Sequence, residues 1–495
     1  MCGICGQFRF DGKKVSSKSL DMMMSKLARR GPDSSGKWIE GVIGFGHQRL
    51  SIIDLSNLGS QPMVDEKLGL TLVFNGTIYN YKSLRALLIS LGYIFFSNSD
   101  TEVIIKAYHC WGVGCLERLD GMFAFAIWDE ASQKLFIARD RMGIKPFYFN
   151  ASSKAFTFAS NSQALLTQDL DKSINPVALQ QQLSLHGVVP APNTIINGIQ
   201  KLKPGTFIIL NTDGQIQEKT YWSPSANRPS ENISDQEYIE KTHELLTAAV
   251  TKRMDASDVP IGVLLSGGLD SSLIVALLKE AGHEDIRTFS IGFEDIDDEA
   301  GSEFEYSDQI VSRFKTQHQK YKISNQEVLP RLSEAVMNMS EPMVGQDAVA
   351  FYLLSEQVSK HTKVVLSGQG ADEAFAGYFW YPRMAKENGS DIERFSRHYV
   401  DRPHKEYLKT VASQYQGENH THNWLDKEFS KPGADSFIDK VFRTDMTRLI
   451  VDDPVKRVDN MTMAWGLEAR VPFMDTELVE WALSIPPNLK MREEG

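Results

Sequence analysis

Two stretches of this sequence hold residues whose type and spacing could do chemistry. One is the segment 259–280, VPIGVLLSGGLDSSLIVALLKE. Residues 261–265 form a short apolar run that suits a strand buried on both faces of a parallel sheet. Ser266, Gly267 and Gly268 break that run, and Leu273, Ile274, Leu277 and Leu278 then give the apolar spacing of a helix. A strand, a glycine turn and a hydroxyl-rich helix start present backbone N–H groups to an anion. Glycine lets the backbone come close, and the helix dipole favours negative charge. No lysine follows the glycines, so this is not the usual P-loop signature. Asp270 inside the loop suits pyrophosphate held with a metal ion instead. An ordinary strand–turn–helix corner has the same pattern, and spacing alone leaves both readings open. The other stretch is the amino terminus, where Cys2 follows the initiator methionine. With Met1 removed, Cys2 would carry a free α-amine of pKa roughly 7.7–8.0 beside its own thiol. Nucleophile and base would then share one residue and need no histidine.

Such residues need elements to hold them, and the chain has the length for these. Its 495 residues allow two or more domains with full cores. A hydrophobic content of 42% with 24% charge describes a soluble globular protein. The net charge of −11 argues against a nucleic-acid surface. No run of 18 apolar residues spans a membrane, and the amino terminus lacks the basic-then-apolar pattern of a signal peptide. Cys2, Cys5, Cys110 and Cys115 are too few for a disulfide framework, and no second Cys or His pair completes a metal site. Reduced thiols in the cytoplasm are expected.

Up to about residue 220, strands are predicted at 44–50, 70–75, 122–128, 135–139, 147–150, 156–159 and 206–211. Helical patterns near 19–29 and 81–91 interrupt them, which implies sheets covered by helices. Residues 223–232, rich in Ser, Pro and Asn, read as a linker. A capping box at 234–237 opens a helix with one apolar face. Strands and helices then alternate through 259–280, 287–293, 305–314, 320–323 and 363–366. That is a doubly wound parallel sheet, with its ligand beyond the C-terminal strand ends. Residues 385–450 are polar and helical in pattern, and His398, His404, His420 and His422 are expected at the surface.

SGGLDSS at 266–272 resembles the PP-loop of ATP pyrophosphatases, which cleave ATP to AMP and pyrophosphate. The opening Met1-Cys2-Gly3-Ile4-Cys5-Gly6 resembles amidotransferases that release ammonia from glutamine. Together they resemble the asparagine synthetase family over nearly the whole chain. The resemblance implies a two-domain α/β and α+β protein. Residues 1–222 would be a glutamine amidotransferase type-2 domain, an Ntn-hydrolase αββα sandwich. Residues 233–495 would be an ATP-dependent synthetase domain, a doubly wound parallel sheet of the PP-loop ATP pyrophosphatase type. The family's second domain continues beyond Gly495 with a lysine and closing helices, which this chain is expected to lack.

The same resemblance implies the roles of single residues. Cys2 is the nucleophile, with the Asn75 amide and the Gly76 N–H as oxyanion hole. Arg49, Leu50, Ser51, Ile52 and Ile53 hold glutamine, Arg49 as a planar fork on its carboxylate, and Asp100 takes its ammonium. Arg30-Gly31-Pro32-Asp33 matches the family's RGPD element, and RDRMGIKP at 139–146 has a structural, interdomain role. ATP is the cosubstrate: Leu264, Ile291, Ser367 and Gly368 lie along adenine and ribose. Ser266, Gly267, Gly268, Leu269, Asp270, Ser271 and Ser272 lie on the phosphates. Asp270 and Asp372 hold Mg2+. Gln369 and Arg470 face the carboxylate being amidated, and Asp475 is structural. Two positions depart from the family, Thr77 and Gln369, each standing where asparagine synthetases have Glu. Segments 185–192, 340–343, 350–354 and 378–384 resemble the subgroup that amidates N-acetylglutaminylglutamine; aspartate is the alternative acceptor. The implied partners are the small molecules glutamine, ATP and the acceptor, with a homodimer left open.

Overall fold

A computed structural model of the chain describes residues 2–295, 301–343 and 347–491. The first 220 residues fold into strands β1 (Gly3–Arg9), β2 (Ser34–Glu40), β3 (Ile43–Arg49), β4 (Met63–Asp65), β5 (Leu70–Ile78), β6 (Gly121–Asp129), β7 (Lys134–Arg139), β8 (Tyr148–Ala151), β9 (Ala155–Ala159), β10 (Gln200–Lys201), β11 (Thr206–Leu210) and β12 (Ile216–Thr220). They make two antiparallel sheets, ordered β10-β8-β9-β1-β3-β2 and β12-β11-β7-β6-β5-β4. Period-2 alternation sorts side chains to opposite faces. Ile4, Phe8 and Phe45 of the first sheet pack on Val73, Ala124, Ala126 and Trp128 of the second. The outer face of β1 sends Cys5 against Met23, Met24 and Leu27, in and just after helix Ser17–Ser25. The outer face of the second sheet sends Phe74 and Phe125 against helices Tyr81–Ser90 and Asp100–Trp111. The order of layers is helix, sheet, sheet, helix, the sandwich expected from the sequence.

β1 is absent from the sequence-predicted strands because its sequence, GICGQFR, has two glycines and a single β-branched residue. Pairing with β3 on one side and β9 on the other makes it a strand. It is the element that carries Cys2.

The second domain opens with helix Asp235–Asp255, whose capping box between Ser234 and Glu237 is formed. The expected linker before it is no loose tether. Ala226 bridges Ala434, and the Arg228 N–H donates to Asp435 at 2.7 Å. Strands β13 (Ile261–Leu264), β14 (Arg287–Phe293), β15 (Gln317–Ile323), β16 (Val364–Leu366) and β17 (Glu468–Arg470) form a parallel sheet ordered β15-β14-β13-β16-β17. The chain starts at the centre, winds outward through β14 and β15, and returns to the other side. The order therefore reverses between β13 and β16, where Val263 pairs with Leu366. The loops after these strands lie side by side, at the crevice where doubly wound sheets bind ligands. Residues 385–450 are helical and contribute Phe395, Tyr399 and Phe429 to the core; His422 is exposed, and His398, His404 and His420 are half-buried. Among the described residues no helix is long and apolar enough to cross a membrane.

Candidate active sites

Cys2 stands at the head of β1 in a small pocket with Arg49, Leu50, Ile52, Thr77 and Asp100. Its backbone N–H donates to Asn75 Oδ1 at 3.0 Å, and its thiol points at the Leu50 carbonyl at 4.0 Å. Burial pushes the thiol up, and the positive charge of the chain's amino terminus opposes this. Asn75 Nδ2 is buried with no partner among the described residues. A buried amide donor left free is costly unless something visits it, and an oxyanion beside Cys2 would. Gly76 must be glycine, since a Cβ there would lie 2.1 Å from the Met122 carbonyl oxygen.

The residues expected to hold glutamine divide. Asp100 is buried, accepts from the Ile78 N–H at 3.0 Å, and has its pKa pushed up to about 6 by burial. Leu50, Ile52 and Ile53 line the pocket. Ser51 does not; its N–H donates to Asp33 at 2.7 Å. Arg49 lines the pocket, but its terminal nitrogens donate to the carbonyls of Ser56, at 2.9 Å, and Asp54. Its planar fork is thus largely used in bracing the loop that follows β3.

The second cleft, of about 440 Å³, opens at the switch point between β13 and β16. Leu264, Ile291, Phe289, Phe351 and Leu354 make its apolar end. Phe289, Phe351 and Leu354 are new to the site; Phe351 and Leu354, three apart on helix Asp347–Val358, show the spacing that could have found them. Ser266, Gly268, Asp270 and Ser271 line the other end, with Ser367, Gly368, Gln369 and Asp372 opposite. Helix Leu269–Glu280 has no side-chain cap, so its first N–H groups are free to meet an anion. Gly267 has φ +92°, and a Cβ would lie 2.6 Å from Tyr306 Cβ, so glycine is dictated there. Leu269 is 80% exposed and Ser272 Oγ donates to the Gly268 carbonyl at 2.7 Å; neither lines the cleft.

Asp270 and Asp372 face each other. Burial pushes Asp270 up to about 6, with the Asp372 charge adding to the effect, and burial also raises Asp372. Neither carboxylate accepts a hydrogen bond from a described residue. Two hard oxygen donors with no counter-charge fit Mg2+. Beside them Glu373 is buried, accepts from Tyr378 Oη at 3.0 Å, and is pushed up to about 8 by burial and by Asp445.

Residues 1–222 match the glutamine amidotransferase domain family, and residues 241–495 match the asparagine synthase family. The chain is 33% identical over 528 residues to the glutamine-hydrolyzing asparagine synthetase 1 of Bacillus subtilis (strain 168), covering 99% of this chain and 82% of the relative. The asparagine synthetase 3 of that organism is 32% identical, covering 100% and 83%. The chain belongs to the asparagine synthetase family. A relative in the fungus Gibberella zeae named amidase chry2 is 27% identical, covering 97% of this chain and 80% of that protein.

As a member of that family the protein is a glutamine-dependent amide-forming ligase, and β17 lies between its two clefts. Thr77 Oγ1, in the Cys2 pocket, donates to Glu468 Oε1 at 3.2 Å. Arg470 Nε donates to the same oxygen at 2.6 Å, and both partners are fully buried. Burial opposes the charge on Glu468, yet the amino terminus, Arg470 and Lys145 hold its pKa at about 2. At the other end of β17 the Arg470 carbonyl accepts from the Ser367 N–H at 2.9 Å, in the second cleft. Arg470 itself does not line that cleft, so it is not a contact of the amidated carboxylate. Its guanidinium points back to Glu468, to Thr77 and to the Arg253 carbonyl. A charged side chain in a three-residue edge strand gives no sequence signal for which domain it faces. Asp475 is structural as expected: it caps helix Thr476–Ser484 and pairs with Arg253 at 2.9 Å.

Proposed function

We propose that the enzyme amidates the C-terminal carboxylate of N-acetylglutaminylglutamine. Glutamine is the nitrogen source and ATP the activating substrate. The observation that carries the acceptor is the charge at the acyl end of the second cleft. Gln369 there is a neutral amide, and Glu373 beside it, with a pKa of about 8, is protonated near pH 7. With Asp270 and Asp372 committed to the metal, the other acids lining the cleft among the described residues are Asp347, which is paired with Arg457, and Glu303, and neither belongs to the 367–373 loop that carries Gln369. A blocked dipeptide has no ammonium, and an amide can both donate to and accept from its peptide groups.

In the first cleft the Cys2 α-amine takes the thiol proton, and the thiolate attacks the side-chain carbonyl of glutamine. Asn75 Nδ2 and the Gly76 N–H hold the tetrahedral oxygen. The proton passes to the leaving nitrogen, ammonia departs, and water hydrolyses the Cys2 thioester. In the second cleft the acceptor carboxylate attacks the α-phosphorus of ATP, and pyrophosphate departs into the Ser266–Ser271 loop. Asp270 and Asp372 would hold Mg2+, whose charge would stabilise that leaving group. Ammonia then attacks the acyl carbon and AMP leaves.

The test is product formation, read by mass spectrometry, from the dipeptide and from aspartate at matched ATP and glutamine. Dipeptide amide with little asparagine is the expected result; rapid asparagine formation overturns it. Aspartate remains the second reading, favoured by the names of the two Bacillus subtilis relatives.

A further inference from the structure

A cavity of about 310 Å³ lies at the seam of the two domains and shares no lining residue with either cleft. Lys26, Arg29 and Arg30 line it from the first domain, and Asn338 and Asn460 from the second. No carboxylate lines it, although the chain as a whole carries a net charge of −11. Arg30 is paired, with Asp459 at 2.9 Å. Lys26 and Arg29 have no acidic partner among the described residues. The Arg29 guanidinium lies 5.5 Å from the Trp465 ring centroid and donates one N–H to Tyr352 Oη at 3.3 Å. It is therefore held in place with the rest of its fork unused, the geometry that recognises phosphate or carboxylate oxygens. An isolated cation on a surface is usually a solvated head group. Two cations from one turn, without an acidic partner among the described residues and lining one cavity, are a different arrangement; the Asn338 and Asn460 amides across from them donate to the Glu334 and Lys456 carbonyls and shape the wall.

We infer that this cavity binds a small, multiply charged oxyanion and that the bound anion tunes the Cys2 site. The coupling runs through Arg30, whose Nε donates to the Cys2 carbonyl at 3.3 Å while its other nitrogens hold Asp459 of the second domain. An anion drawn in by Lys26 and Arg29 competes with Asp459 for the Arg30 charge and so shifts the backbone that carries the nucleophile. This inference does not depend on which carboxylate the enzyme amidates.

Titration calorimetry of the wild type with inorganic phosphate, pyrophosphate and malonate tests it, malonate separating carboxylate from phosphoryl recognition. The comparison protein is the Lys26→Gln/Arg29→Gln variant; both side chains are exposed, so the fold is expected to survive, and its melting temperature checks this. We expect the wild type to bind at least one anion with Kd below about 1 mM and the variant to lose about tenfold or more. Glutamine hydrolysis without added anion should be equal in the two proteins, with the anion changing KM for glutamine in the wild type alone. Equal binding by the variant would assign the anion to the 266–272 loop and overturn the site. Binding that leaves glutamine kinetics unchanged overturns the coupling.

Discussion

In the proposed reaction Cys2 forms the covalent bond to glutamine, Asn75 donates to the oxyanion, and Gln369 meets the acceptor without a charge. Replacing Cys2 with Ala should abolish glutamine hydrolysis and glutamine-driven amide formation while leaving ammonia-driven synthesis near the wild-type rate. Loss of both activities in a folded protein would count against two separate clefts. Asn75 Nδ2, without a partner among the described residues, is the donor that an oxyanion would use. Asn75→Ala should lower kcat for glutamine hydrolysis by about 10²–10³, the usual effect of removing one oxyanion donor. Since the ground-state carbonyl gains less from this donor, KM should change little. Gln369→Glu places a carboxylate beside a ligand that offers it no cation. It should lower kcat/KM for the dipeptide by the equivalent of ~1–3 kcal/mol without creating efficient use of aspartate.

The paired loops at the ends of β13 and β16 are the element whose chemistry is most open to a pH test. The Asp270 carboxyl rises from its ordinary 3.8 to about 6 on folding, through burial and the facing Asp372. A raised acid binds its proton more tightly when folded, so its contribution to stability is greatest at low pH. That contribution is lost as pH rises from about 4 through about 6. Mg2+ binds the ionised pair and should reverse the loss. In thermal melts, Mg2+ should raise Tm at pH 7.5 and have little effect at pH 5. Asp270→Asn and Asp372→Asn should each remove the Mg2+ effect and stop ATP–pyrophosphate exchange, with glutamine hydrolysis spared. A variant that kept both responses would not be a metal ligand.

Across the whole molecule, the two domains meet through fully buried charge. Glu468 and Arg470 of β17 sit on Thr77 at one end, while β17 hydrogen-bonds the Ser367 loop at the other. Removing one partner leaves an uncompensated buried charge, so Glu468→Gln should destabilise the protein by ~3–5 kcal/mol. Glu468→Met/Arg470→Met removes both charges but leaves Lys145 and the amino terminus without the Glu468 carboxylate, so it should recover only part of that loss, as read by chemical denaturation. The double variant should still release more glutamate than it forms amide, because the contact between Thr77 and β17 is gone. A product ratio equal to that of the wild type would show that β17 does not couple the sites.

Local sequence determined the parts that depend on neighbours along the chain. The 266–272 turn, its helix and the capping box at 234–237 follow from residues within a few positions of one another, and all three formed. So did most strands with a period-2 or apolar run. Contacts between distant segments decided the rest. β1 is a strand because β3 and β9 flank it, not because GICGQFR favours one. Arg470 and Thr77 are 393 residues apart in sequence, and no spacing rule reports that they touch. The sequence named Arg470 as a polar residue near catalysis; burial and pairing with Glu468 turned it toward the glutamine side. The cations of the seam cavity likewise read as an ordinary basic turn until Asn338 and Asn460 close over them from the other domain. Periodicity and turn chemistry are local, whereas the sign and partner of a buried charge are set by whichever segment the fold brings alongside.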